Sequence, residues 1–293
     1  MQSLLDFLRY IRRKIFNLYG KYVYWLSLRG DDVPVREDGE SCELYLVTIA
    51  YNKENLIRKQ IEMVKSFVTD VGYHHVVVDN SPDKKKRRLI QNVCADNGIE
   101  YVPIPRYIDR LISTRLFGYG ISHGAALNWM FYKYLLHRKP VRFALLDHDI
   151  FPIKQYNFVE ALGDRAFYGV KRDRAVGWYL WPGFCIFRLD AAFPDCKPNF
   201  LPMIQSGVFL DAGGANYPLL YKNYDIAQVD FPEDTTYRLK KTEGLIDIYH
   251  GDCISIVDIA WLHLINGSNY ANIRGKEEFM EKVMANIEKL QKH

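Results

Sequence analysis

The stretch "FALLDHDIFPI", residues 143–153, decides how this chain is read. Four apolar residues, Phe143 to Leu146, run into Asp147-His148-Asp149, and an apolar run containing Pro152 follows. The residues before the triplet have the composition of a buried strand. Side chains alternate along a strand, so Asp147 and Asp149 are expected on one side and His148 on the other. Two carboxylates held that close repel unless positive charge sits between them. A divalent cation meets the need: Mg²⁺ and Mn²⁺ take hard oxygen ligands and keep positions open for phosphate oxygens. His148, pointing away, receives no metal role. A bland alternative is a pair of solvated acids at a loop entry.

The sequence upstream makes the chemical reading the stronger one. "ELYLVTIAY" (43–51), "YHHVVVDNS" (73–81) and "IEYVPIP" (99–105) read as strands, with "RFALLDHDIF" (142–151) as a fourth. Between them, "KENLIRKQIEMVKSFV" (53–68), "KRRLIQNVCADNG" (86–98) and "SHGAALNWMFYKYLLHRK" (122–139) read as helices, the second stopped by Gly98. Such alternation predicts an α/β domain, a mostly parallel sheet with helices on both faces. Ligands of these sheets sit beyond the carboxyl ends of the strands. The first, second and fourth strands end there in polar residues: Asn52, Asp79-Asn80 and the Asp147-His148-Asp149 triplet.

Composition narrows the classes further. The chain has 293 residues, enough for one large domain with appendages. A net charge of +4 is too small to indicate nucleic acid as a partner. The run Lys84–Arg88 reads as a solvated turn. Five cysteines, Cys42, Cys94, Cys185, Cys196 and Cys253, are scattered and form no CxxC, which points away from disulfides and zinc and toward a reducing, cytoplasmic compartment. No signal peptide and no stretch of 18 apolar residues is visible.

Residues 1–40 differ from the rest. Leu4, Leu8, Ile11, Ile15, Leu18 and Tyr22 fall at helical spacing, with Arg9, Arg12, Arg13, Lys14 and Lys21 largely off that stripe. Trp25 and the polar stretch "RGDDVPVREDGES" follow. This basic amphipathic segment has two readings: a helix packed on the following domain, or one lying on an anionic membrane surface. Residues 41–275 are read as one catalytic domain, with halves at 43–152 and 153–275, and residues 276–293 as a final helix. In the second half "GVKRDRAVGWYLWPGFCIFRLD" (169–190) reads as strands and turns, and "DAGGANYPLLYKNY" (211–224) as a loop leading into a helix.

The segment Leu44–Asp149 resembles the nucleotide-binding half of a GT-A fold, Rossmann-like glycosyltransferase. The turn "IAYNKENL", the strand ending "VVVDNSPD", the helix "SHGAALNW" and the triplet Asp147-His148-Asp149 carry that resemblance. It implies a nucleoside site made by Ala50, Tyr51 and Asn52, with Asp79 and Asn80 holding base or ribose. Asp147 would contact ribose or metal, and Asp149 would ligate Mn²⁺ or Mg²⁺ directly. A third metal ligand is expected from the second half: His263 in "WLHLINGSN" is preferred to His250 in "IYHGD", since Gly267-Ser268-Asn269 suits a closing segment. The metal would bridge the phosphates of a UDP- or GDP-linked sugar. A carboxylate base for the acceptor hydroxyl is sought in Asp211, before two glycines, and in Glu233-Asp234. Trp178 and Trp181 are candidates for a wall against a sugar ring, and His123 for a binding role. The acceptor is expected to be a glycan or a lipid-linked precursor, reached from the inner face of the cell membrane. Two rivals stand beside this reading. One is a non-catalytic glycan-binding or scaffold protein on the same fold. The other is a haloacid-dehalogenase-type phosphotransferase, which carries its two aspartates on a first strand rather than a fourth.

Overall fold

The computed structural model describes residues 2–34, 42–108, 119–194, 197–238, 253–265, 281–283 and 285–286. The chain opens with helix α1 (Gln2–Ser27). Strand β1 (Leu44–Ala50) is buried along its whole length, because "LYLVTIA" presents side chains suited to a core on both faces. Helix α2 (Glu54–Phe67) buries Leu56, Ile57, Gln60, Ile61 and Val64, a helical stripe with one polar member. Strand β2 (His74–Asp79) follows, then helix α3 (Lys84–Asp96) and strand β3 (Glu100–Pro103). Asp83 caps α3 by accepting from the Lys85 and Lys86 amides. The basic run Lys84–Arg88 is therefore the first turn and a half of a helix and not a loop. Helix α4 (Tyr119–Met130) continues through a π-turn, Phe131–Leu135, to Arg138.

Strand β4 (Arg142–Asp147) lies parallel to β1 on the side away from β2. The register sets Ala50 beside Asp79 and Ile49 beside Asp147, so three strand ends lie in a row. The hairpin β6 (Phe167–Arg174) and β7 (Gly177–Arg188) adds two antiparallel strands, giving the order β3-β2-β1-β4-β7-β6. The expected α/β class with a mainly parallel core is what the coordinates show. Helices cover both faces: α2 and α3 pack on the face of Ala50 and Val77, while α4 packs on the face of Val47, Ile49 and Val78, with α1 against α4. Chain direction across the sheet reverses between β1 and β4, the kind of switch point at whose carboxyl ends open α/β sheets bind ligands.

The fourth strand differs from its sequence reading. It does not run on through residue 151. The chain turns at His148-Asp149, and β5 (Ile150–Pro152) leaves for a second, antiparallel sheet. That sheet has the order β10-β11-β12-β5, with β10 (Asp234–Arg238), β11 (Cys253–Val257) and β12 (Trp261–Leu264). The triplet is thus the junction of two sheets. Strand alternation no longer places its two carboxylates on one side. A small hairpin, β8 (Met203–Gln205) and β9 (Val208–Leu210), packs under α1. Residues 211–228 form three short 3₁₀ turns and not the helix expected there. Of the final helix only Glu281–Val283, Ala285 and Asn286 lie among the described residues; the first four are helical and Asn286 is in a turn.

Candidate active site

The junction turn is held from beneath by one side chain. Gln60, on α2, donates from Nε2 to the carbonyls of Asp147 and Ile150, both at 2.7 Å, and so straddles His148-Asp149. Its Oε1 accepts from Thr48 Oγ1 at 2.7 Å, and Thr48 lies 3.1 Å from His75 Nε2. Thr48, Gln60 and His75 are all buried. Burial pushes the His75 imidazole down to about 3, so it is neutral. From the other side the Leu264 amide donates to the Asp149 carbonyl at 2.9 Å.

This framework aims the two carboxylates at different partners. Asp147 Oδ1 lies 3.4 Å from His123 Nε2, in the first described turn of α4, without an aligned hydrogen bond between them. Asp147 Oδ2 faces Gly183 of β7, where an added Cβ would sit 2.5 Å from that oxygen and 2.1 Å from the Trp181 ring. Glycine is needed there because backbone, carboxylate and indole converge. Asp149 Oδ1 instead lies 4.0 Å from His263 Nε2. The pairing of β12 with β5 brings this about, since it sets His263 opposite Ile150, the residue after Asp149. His263 Nδ1 meets Ser255 Oγ at 3.2 Å, a contact either tautomer can make, and its Nε2 is turned toward Asp149. His148, between the two aspartates, is buried, and burial lowers it to about 4. It is neutral and has no place in the cluster.

Among the described residues, no three His, Cys, Asp or Glu side chains converge closely enough to enclose an ion by themselves. The pair Asp149–His263 nonetheless fits a divalent cation. A separation of 4.0 Å is too long for a hydrogen bond, and it is just under what two roughly 2.1 Å ligand bonds span when they oppose each other across one ion. Mg²⁺-type sites are built this way, from one or two protein ligands completed by phosphate oxygens and water.

The neighbouring turns are tied together. The Asn80 amide donates to the Ala50 carbonyl at 3.0 Å, the Asn52 amide to Ser81 Oγ at 2.7 Å, and Asn80 Nδ2 to Ser122 Oγ of α4 at 3.0 Å. Asn52 adopts a φ of 57°, the left-handed region that asparagine tolerates. Tyr51 is half-buried on the same turn. Asn52 Oδ1 and Asn80 Oδ1 are buried acceptors without a hydrogen-bond partner. Asp79 is fully buried, and both its oxygens are engaged, one by the Ser81 amide and one by Tyr101 OH, each at 2.8 Å. Burial raises its carboxyl, against the lowering effect of those bonds and of Arg87. As placed, Asp79 holds the turn that presents Asn80 rather than offering a free oxygen of its own.

Both candidate bases come to the rim. Asp211 follows β9 and is exposed, and its Oδ1 lies where a Cβ on Gly120 would stand, 2.3 Å away. Its amide donates to Tyr179 OH at 3.0 Å. Gly213 (φ 88°) lets the 211–214 turn pack on the Leu180 carbonyl and Pro182 of β7. Asp234 accepts from Arg172 Nη1 at 2.8 Å. The Arg172 guanidinium lies 4.9 Å from the centroid of Trp181, and that ring stands 4.5 Å from the ring of His263. A chain of contacts thus runs from Asp234 to the Asp149–His263 pair.

Trp178 corrects the expectation of a two-indole wall. It is buried in the core against Phe167, Tyr221 and Phe231, because it stands an odd number of residues from Trp181 on β7 and faces the other side of the sheet. His250 and Gly267-Ser268-Asn269 lie outside the described residues. Sequence reading missed Gln60, Thr48, His75, Gly183 and Ser255. A visible signal existed for the first two: each is the polar member of an otherwise apolar strand or helix stripe.

No protein-family model matches this chain, and no curated protein sequence does. Solved structures similar to it include three glycosyltransferases. The mannosyltransferase PcManGT from Pyrobaculum calidifontis, in complex with GDP-Man and Mn²⁺, is 15% identical at a TM-score of 0.36, over 63% of this chain and 56% of that one. The mannosyltransferase Ktr4p from S. cerevisiae is 12% identical at a TM-score of 0.37, over 64% and 68%. The galactosyltransferase LgtC, with donor and acceptor sugar analogues, is 15% identical at a TM-score of 0.35, over 50% and 58%. This chain therefore spans little more than half of the first structure's length. Likeness at this level does not carry an activity across.

Proposed function

We propose that this protein is a metal-dependent glycosyltransferase that moves a sugar from a UDP- or GDP-linked donor to a glycan or lipid-linked acceptor at the inner face of the cell membrane. One observation carries the reading. Asp149 Oδ1 and His263 Nε2 face each other across 4.0 Å at the carboxyl edge of a parallel sheet, beside its switch point. An imidazole nitrogen turned toward a carboxylate at this distance suits a cation held between them. A bound Mn²⁺ or Mg²⁺ supplies Lewis-acid stabilisation of the departing diphosphate. Asp149 and His263 would hold it, and Gln60 fixes the turn from which Asp149 extends. Asp147, beside His123, faces the ribose side, and Asn52 and Asn80 offer buried acceptors to the nucleoside. Asp211 is the base assigned to the acceptor hydroxyl: it is exposed at the rim, whereas Asp234 is held by Arg172.

The test is thermal unfolding with UDP or GDP, each with and without Mn²⁺. Stabilisation that needs both nucleotide and metal, and that Asp149→Ala abolishes, is expected. Indifference to every nucleotide would favour the scaffold reading instead.

A further inference from the structure

The large exposed apolar side chains concentrate on α1. Leu4, Leu8, Ile11, Ile15, Leu18 and Tyr22 form one stripe, separated alternately by four and three residues, and the least exposed of them is 38% accessible. Trp25 continues it at 47%. From Phe16 onward the other side of the helix is docked. Phe16, Val23 and Leu26 are buried, Asn17 exchanges two hydrogen bonds with the Ile204 backbone at 2.9 and 3.1 Å, and Tyr24 OH meets Tyr132 OH at 2.9 Å. The helix is therefore fixed to the protein through its second half, while residues 4–15 are exposed on every side and the apolar stripe points away along the whole length. A continuous stripe of this length on a soluble surface marks a partner.

We propose that α1 is an in-plane anchor that seats the protein on an anionic lipid bilayer. Charge supports that occupant. Residues 2–27 carry Arg9, Arg12, Arg13, Lys14 and Lys21 against Asp6 alone. That surplus of four equals the +4 of the whole chain, so the rest of the protein is balanced. At about 100° per residue, Lys14 and Lys21 border the stripe on one side and Arg12 on the other. Cations flanking an apolar stripe suit a layer of anionic headgroups over acyl chains. The same cations oppose a second copy of the chain, since facing helices would bring like charges together. Tyr22 and Trp25 stack at 6.2 Å, and the Arg29 guanidinium lies 3.5 Å from the Trp25 centroid, a pairing suited to the headgroup level. No described helix is long and apolar enough to cross a membrane, so the anchor lies on the surface. Under the transferase reading, this seat favours a lipid-linked acceptor, because the hairpin pinned beneath α1 leads directly into Asp211.

Vesicle flotation of the full chain tests the anchor without nucleotide, so its failure is separable from failure of the transferase reading. Binding is expected to phosphatidylcholine vesicles that contain phosphatidylglycerol, and to weaken with salt. The pair Leu8→Asp and Ile15→Asp should abolish it while circular dichroism stays unchanged, since both residues are exposed. Converting Arg12, Lys14 and Lys21 to Gln should weaken partitioning about 100-fold, roughly fivefold per cation. Absence of binding to the anionic vesicles would overturn the proposal. So would equal binding of all variants, or a concentration-dependent dimer, lost in the aspartate variant, in a protein that ignores vesicles.

Discussion

Replacing Gln60 with Leu removes the clamp beneath the Asp147–Ile150 turn while keeping nearly the same volume, so packing changes little. Two carbonyls, those of Asp147 and Ile150, lose their 2.7 Å donor and stay in a buried setting. Each orphaned acceptor costs about 1–3 kcal/mol, so roughly 2–6 kcal/mol of stability should be lost. Thr48 keeps His75 as a neighbour at 3.1 Å, which moderates the third loss. A fold stable by about 5–15 kcal/mol survives such a change, so the variant can be purified and compared. Urea unfolding reads the stability term. Sugar transfer reads the positional term: a shift of about 1 Å in Asp149 should lower turnover around 100-fold. Thr48→Val, which breaks the 2.7 Å bond to Gln60 and leaves both carbonyls satisfied, should cost clearly less. A loss under about 1 kcal/mol in Gln60→Leu, with turnover unchanged, would refute the clamp.

Three further outcomes follow from the same geometry. Gly183→Ala drives a methyl into Trp181 and the Asp147 carboxylate, so nucleotide affinity in calorimetry should fall at least about tenfold, and an unchanged affinity would show the site elsewhere. Asp211→Asn should abolish transfer with nucleotide binding intact, whereas Asp234→Asn should leave most of the rate; the reverse pattern in a radiolabelled-sugar assay would exchange their roles. His75 and His148 sit at about 3 and about 4, against an ordinary 6.5, because burial disfavours their charged forms. The unfolded chain binds those two protons below pH 6.5 and the folded chain does not. Their contribution is therefore intact above 6.5 and falls with acidification toward pH 4, by up to about 2.7 kcal/mol per pH unit. Urea unfolding that is flat between about pH 7 and pH 5 would contradict this.

Much of the first half was legible because its signals are local. Apolar runs ending in Asn52, Asp79 and Asp147 mark three parallel strands and the edge where they end together, the first two with boundaries off by one or two residues and the third running four residues too far. Helix α3 began earlier than its apolar pattern because Asp83 caps it. The break at His148-Asp149 was not legible, since it depends on β5 pairing with β12, more than a hundred residues later. That distant pairing also brings His263 to Asp149, which no spacing along the chain reveals. Strands β5, β8 and β9 have three residues each, too few for a periodic signal. Trp178 and Trp181 were separable in principle, because alternation along β7 sends one inward and the other to the site. Gln60 was readable as well, as the one amide in the buried stripe of α2.

The pulsed electron-paramagnetic-resonance spectrum of Mn²⁺ bound to the protein with GDP or UDP probes the metal pair most directly. Nitrogen coupling from one imidazole, together with phosphorus coupling from the diphosphate, is predicted in the wild type; His263→Ala should lose the nitrogen coupling and Asp149→Ala most of the bound ion. A Mn²⁺ signal without nitrogen coupling, or one indifferent to Asp149→Ala, would contradict the assignment of these two side chains to a shared cation.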